Sequence, residues 1–285
     1  MLTQVDIINP VGSILKLPLE DVSAGVIVKE IDGLSPVKAA MASTVFANID
    51  GEYYQSSRRG VRNITMKLGL EPFYGGGSAQ DIRSRLYEFL SPKMPVKIIF
   101  RTDAPKDFVI DGVVEAFESP LFAREPEADI SILCYNPDFV DPEEKLAFGY
   151  GQTNYGYDYP GAIVNYAGST PTGGRLEVFA TAGFPNSFSE FSFYHLSPNG
   201  TETVMSFAMN QPVNYGDKVV INTVPGEKSA VAVLNGVETS ILAAMNPESV
   251  WTTLTPGLNK FLLIDNMGTG SARWNFYYQN KYGGL

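Results

Sequence analysis

His195 is the only histidine, in the run Phe191-Ser192-Phe193-Tyr194-His195. One imidazole is enough for a Ser-His-Asp hydrolase, where it passes the proton between nucleophile and leaving group. No Gly-x-Ser-x-Gly elbow accompanies it, however, and one histidine cannot build a His-based metal cluster within a subunit. His195 therefore reads as a partly packed strand residue. Cys134, the single cysteine, alternates with Ile130 and Ile132 and reads as a small buried apolar group rather than a nucleophile. Being alone, it also forbids an internal disulfide.

Other groups invite chemistry and are read more plainly. Gly75-Gly76-Gly77 precedes a helix, whose amino end attracts anions, but it lacks the Gly-Lys-Ser/Thr ending of a nucleotide loop. It reads as a loop that lets Ser78 reach a capping position. The pairs Glu125/Glu127 and Glu143/Glu144 could serve as acid and base or as cation ligands, yet nothing fixes their separation; they read as solvated connections. Trp251, Trp274, Tyr277, Tyr278 and Tyr282 could stack on a sugar, but alternation puts Trp274, Phe276 and Tyr278 on one side, which favours core or inter-subunit packing. The segment holding Tyr53, Tyr54, Arg58 and Arg59 has the residue types enriched at protein interfaces. Two readings of it stand, a subunit contact or an ordinary solvated loop.

These residues need elements to hold them. Ile14 to Leu17, Val26 to Ile31 and Val61 to Leu68 alternate as strands, with Arg62, Ile64, Met66 and Leu68 sharing a face. Between Met41 and Gly60 a polar segment with the pair Asp50-Gly51 predicts a hairpin projecting from a sheet. Ser78 caps a helix in which Ile82, Leu86, Phe89 and Leu90 recur at helical spacing, with Asp81 at its positive end and Pro92 closing it. Three strands follow, Val96 to Arg101, Phe108 to Phe117 and Ala128 to Tyr135. Past a stretch of Gly, Tyr, Asn and Pro from Gly149 to Gly161 come short strands, Lys218 to Thr223, Ser229 to Leu234, Val237 to Leu242, Leu258 to Asp265 and Ala272 to Gln279. Asn235-Gly236 among them suits a type I′ hairpin. This is a sandwich or jelly-roll pattern.

With 285 residues, 44% of them hydrophobic, the chain exceeds one domain and buries about three quarters of its unfolded surface. Uninterrupted apolar runs, such as Phe261 to Ile264, are far too short to span a bilayer, and no membrane role is expected. The opening residues lack the pattern of an export signal, so synthesis in the cytoplasm is expected. Net charge is −10. Met1 to Lys145 carry 15 Lys+Arg against 22 Asp+Glu and the remainder 6 against 9, so neither half offers the cations that specific nucleic-acid binding requires.

The order of several pieces carries a family resemblance. They are Asp32-Gly33-Leu34, Asp50-Gly51-Glu52-Tyr53, Gly60-Val61-Arg62-Asn63-Ile64, the helix and strands from Gln80 to Phe139 that end in Cys134-Tyr135-Asn136-Pro137, Trp251 to Asn259, and Tyr282-Gly283. Together they resemble the distal tail proteins (Dit) of long-tailed bacteriophages. The resemblance implies a mainly β fold. Residues 1–148 would form a split-barrel-type domain with one helix and a projecting belt hairpin, 149–169 a Tyr/Gly-rich linker, and 170–285 a galectin-like β-sandwich. It implies a structural virion protein at the distal end of the tail, without enzymatic activity, metal or cofactor. Copies would assemble into a ring, usually a hexamer, between the tail tube protein and the tail-tip hub. Receptor-binding proteins or side fibres would dock on its outside, and Tyr53, Tyr54, Arg58 and Arg59 would lie at the subunit contact. A glycan-binding adhesion module is the rival reading.

Overall fold

The computed structural model describes residues 1–23, 25–75, 77–104, 106–121, 125–150, 162–182, 187–265 and 272–285. The chain divides into two compact units, residues 1–142 with 282–285, and residues 143–281. The architecture is mainly β, as expected.

In the first unit the elements are β1 (Leu2–Ile8), β2 (Ile14–Pro18), β3 (Val26–Asp32), β4 (Ala39–Thr44), β5 (Tyr53–Arg59), β6 (Arg62–Leu70), the single turn α1 (Pro72–Gly75), α2 (Ala79–Leu90), β7 (Pro95–Thr102), β8 (Phe108–Glu118), β9 (Glu127–Cys134) and β10 (Phe139–Val140). An antiparallel sheet runs β2-β1-β7-β8-β9-β6-β3, with β10 added against β8. Period-two alternation decides which face is buried: Arg62, Ile64, Met66 and Leu68 of β6 point inward beside Ile130, Ile132 and Cys134 of β9. Helix α2 covers this core with Ile82, Leu86, Phe89 and Leu90. It starts where expected because Ser78 and Asp81 form a reciprocal capping box, the Ser78 hydroxyl accepting from the Asp81 amide and the Asp81 carboxylate accepting from the Ser78 amide at 2.8 Å. Arg83, on the same helix, is buried too and donates to the Ser119 hydroxyl at 2.9 Å.

In the second unit β11 (Lys145–Tyr150), β12 (Ile163–Tyr166), β13 (Arg175–Ala180), β14 (Ser187–Leu196), β15 (Glu202–Asn214), β16 (Lys218–Asn222), β17 (Ser229–Leu234), β18 (Val237–Ser240), β19 (Gly257–Asp265) and β20 (Ala272–Tyr278) make two antiparallel sheets. Their orders are β11-β20-β13-β16-β17-β18 and β12-β19-β14-β15. Both contribute to one core, where Phe193 lies 5.5 Å from Phe261 and 5.2 Å from Trp274 between ring centroids. Asn235 and Gly236 both take positive φ, 50° and 78°, as the type I′ turn between β17 and β18 demands.

The division between units departs from the expected boundaries. It falls at 142/143 rather than 148/149, because β11 pairs along β20 from Lys145↔Tyr278 to Tyr150↔Arg273. Ile163–Tyr166, expected in the linker, is a strand paired with β19. Tyr282–Leu285 return to the first unit instead of ending the sandwich. The Tyr/Gly-rich stretch 151–161 lies outside the described residues.

Candidate functional site

The projecting arm is a two-stranded sheet, β4 on β5, that pairs with no other strand among the described residues. It leaves the first unit between the end of β3 and the start of β6, and its stem is built with unusual care. Gly33 sits at φ +85°, and a Cβ there would fall 2.0 Å from the Asn63 carbonyl oxygen. Only glycine permits both the left-handed turn and that approach.

Beside it Arg62, 1% exposed, spends its guanidinium on main-chain carbonyls. Nε donates to Pro137 O at 2.7 Å, Nη1 to Ser35 O at 2.8 Å and also to Gly33 O, and Nη2 to Gly283 O at 2.6 Å. Its Cζ lies 4.4 Å from the centroid of the Phe139 ring. Burial lowers its pKa from the ordinary arginine value, yet the carbonyl dipoles on the fork satisfy a charge that no carboxylate among the described residues contacts directly. Arg59, the last residue of β5, pairs with both oxygens of Asp138, Nη2 to Oδ2 at 2.8 Å. That bond raises the Arg59 pKa.

Further out the arm is satisfied by its own polar groups. Tyr54 Oη donates to Ser57 Oγ at 2.8 Å, Ser43 to Glu52 and Gln55 to Thr44. Every residue of β5 is exposed. Tyr53, Tyr54, Arg58 and Arg59 are thus on one element as expected, but with different duties. Arg59 belongs to the stem. Arg58, opposite Ala40, has no ion-pair partner among the described residues. Sequence reasoning took this segment as polar and missed its apolar tip, where Val45, Phe46 and Ile49 stand in solvent at 68, 52 and 67% exposure. Phe46 touches Tyr53 edge-on at 6.3 Å. The roles of Arg62 and Asp138 were missed as well.

The remaining candidates are held by ordinary contacts. His195 is 2% exposed, with Nε2 2.9 Å from Asn259 Oδ1 and Nδ1 3.3 Å from Thr203 Oγ1. Asn259 donates its amide to Thr255 O and Gly257 O at 2.8 and 2.9 Å, so its oxygen faces the ring and must receive the Nε2 proton. Desolvation lowers the His195 pKa below the usual 6.5, against the opposing pull of Asn259. A depressed histidine pKa means that the unfolded chain takes up the proton first, so this contribution is complete above about pH 6.5 and is lost as pH falls. The urea midpoint of the second unit should therefore drop from pH 7.5 to pH 5, with a smaller drop in His195→Gln.

Cys134 is fully buried, and desolvation raises its pKa to about 11. Its thiol should resist iodoacetamide at pH 8 in the native protein and react at once in 6–8 M urea, about the strength that unfolds small domains; native labelling would contradict the burial. Glu127 pairs with Lys29 at 2.6 Å and Lys67 at 3.0 Å, and Glu144 with Arg175 at 3.2 Å, which are surface ion pairs. Trp274, Tyr278 and Tyr282 are buried, while Trp251 and Tyr277 are both half-buried, with Lys228 over Trp251 at 5.6 Å and Arg175 over Tyr277 at 4.4 Å, so the set does not form one exposed stacking platform. Among the described residues no three His, Cys, Asp or Glu side chains gather as a metal site, and no helix is long and apolar enough to cross a membrane.

A unit of one sheet, one capped helix and a protruding arm, followed by a unit of two stacked sheets, defines the class to which this fold belongs. It is a fold shared with a solved phage Dit structure. Among solved structures the chain is similar to the Dit protein (gp 19.1) of phage SPP1, described as a paradigm of the hub adsorption apparatus of phages that infect Gram-positive bacteria. That likeness has a TM-score of 0.64 at 16% identity and covers 96% of this chain and 98% of that one. A chain of the phage P2 baseplate in its activated conformation also aligns, at TM-score 0.48 and 13% identity over 100% of both chains. No family model and no curated protein sequence matches.

Proposed function

We propose that this chain is a structural subunit of a phage tail tip. It assembles head to tail into a ring, hexameric by analogy with the family, between the tail tube and the hub, and its second unit offers a platform for receptor-binding proteins or side fibres. The role is scaffolding rather than catalytic.

The observation that carries this reading is the arm. A two-stranded hairpin is marginal in water, and this one adds an exposed apolar tip and an arginine with no ion-pair partner among the described residues. A surface of that kind is completed by a neighbour, and a heterologous contact repeated by rotation closes into a ring. Native mass spectrometry of the purified chain tests the assembly: a closed oligomer of fixed mass is expected, and a monomer at every concentration, also with its tail neighbours present, would refute it.

The glycan-binding reading keeps one observation in its favour. Leu146, Phe148 and Tyr150 lie exposed on one face of β11, a different set from the one the sequence suggested. A glycan array on the full chain separates the two, since a scaffold gives no signal at micromolar concentration.

A further inference from the structure

The chain passes between its two units twice, at 142/143 and at 281/282. The residues of the first unit next to both passages are fastened to the stem of the arm. Just before the first passage, Pro137 O accepts from Arg62 at 2.7 Å, Asp138 accepts both nitrogens of the Arg59 fork, and Phe139 lies beneath the Arg62 guanidinium. Just after the second, Gly283 O accepts from Arg62 at 2.6 Å and the Leu285 amide donates to Leu34 O at 3.0 Å. Gly284 packs on Pro36 so closely that a Cβ would come within 2.6 Å of its ring. Tyr282 is held edge-on to Phe108 at 5.3 Å and under Lys106 at 3.8 Å. Gly33, Leu34, Ser35 and Pro36 lead into β4, and Arg59 ends β5.

We propose that these two passages form a strap that positions the arm, with Asp138, Phe139, Tyr282 and Gly283 as its positioning residues. The argument is geometric. A guanidinium presents its donors in one rigid plane, and N–H···O bonds weaken outside about 2.7–3.2 Å. Arg62 serves carbonyls from the incoming stem, from the first passage and from the second passage with one such plane. A shift of one of the three by about 1 Å therefore breaks registry with the other two, which makes the clamp closed or open rather than graded. Covalent connectivity delivers any load borne by the second unit to the two strap segments, and through them to the angle and order of the arm. The inference rests on the arm being the subunit contact, and it adds that docking on the second unit is felt there.

Hydrogen–deuterium exchange on the full chain tests it, with Asp138→Asn, Tyr282→Ala and, as a control for general loosening, Ile98→Val in the buried face of β7. In the two strap variants the amides of 39–44 and 53–59 should exchange at least about fivefold faster than in wild type while those of β7 keep their rates. Ile98→Val should leave the arm at its wild-type rate. Unchanged arm exchange in both strap variants overturns the proposal. So does a uniform acceleration across the first unit, which would mean that these residues only stabilise. The near-isosteric Asp138→Asn keeps the test alive if Tyr282→Ala fails to fold. A wild-type ring with an unresponsive arm would sink the strap alone, whereas absence of a ring would sink the assembly and leave the exchange result readable on the monomer.

Discussion

Arg62→Ala should destabilise the first unit by roughly 4 kcal/mol or more, lowering its midpoint by about 10–15 °C in a calorimetric scan. The side chain is buried at the head of β6, and its loss takes one charged donor from each of the carbonyls of Gly33, Ser35, Pro137 and Gly283, of which only Gly283 belongs to a buried residue. A buried acceptor left without a donor costs about 1–3 kcal/mol, and hydrogen bonds to a charged donor contribute about 1.5–3 kcal/mol each. Even with relaxation and water entry, the sum is a large share of the 5–15 kcal/mol typical of a domain. Arg62→Lys should recover less than half, because an ammonium cannot reproduce a planar fork that reaches three segments. Arg62→Met, which keeps much of the volume and none of the donors, should resemble the alanine variant. A midpoint within about 3 °C of wild type for Arg62→Ala would show that the clamp does not hold the unit together.

The same residue shows where sequence reading succeeds and where it stops. Its inward direction follows from alternation with Ile64, Met66 and Leu68, because the two-residue period of a strand is local information. Its partners do not follow: one lies 221 positions away, and four main-chain carbonyls leave no mark in residue types. Helix α2 was legible for the reason β6 was, since a cap, a 3.6-residue repeat and a proline stop are all local. Strand β1 lacks a local signature because Val5, Asp6 and Ile7 are buried in succession, which breaks the two-residue alternation. Strand β15 was missed because one side of it is largely exposed and polar, which weakens the alternation around Met205, Phe207 and Val213. Trp274 was rightly placed in the core from its spacing with Phe276 and Tyr278. On the arm, the Asp50-Gly51 turn drew attention to polarity, while the apolar residues just before it, Val45, Phe46 and Ile49, carried the stronger signal. The unit boundary depends on β11 pairing with β20, more than a hundred residues away, and no local rule reports such a pairing.

Arg58→Glu should abolish ring assembly while leaving the fold of the subunit intact. Arg58 is exposed, opposes the small Ala40 across the arm, and contacts no carboxylate among the described residues. Its replacement therefore changes subunit stability by no more than about 0.5 kcal/mol, the usual range for surface sites. At a subunit contact the effect is of another size, because arginine anchors in protein interfaces cost about 2–4 kcal/mol when removed. In the proposed six-membered ring the loss would recur at each contact, on the order of 12 kcal/mol or more in all. Native mass spectrometry at micromolar concentration should then show monomer in place of the ring, with circular dichroism and the thermal midpoint unchanged. Arg59→Glu provides the contrast. It drives a carboxylate against Asp138 at the stem, so it should lower the thermal midpoint as well as weaken assembly. An intact ring in Arg58→Glu would remove Arg58 from the contact and leave the apolar tip around Phe46 and Ile49 as the part of the arm that a neighbour has to cover.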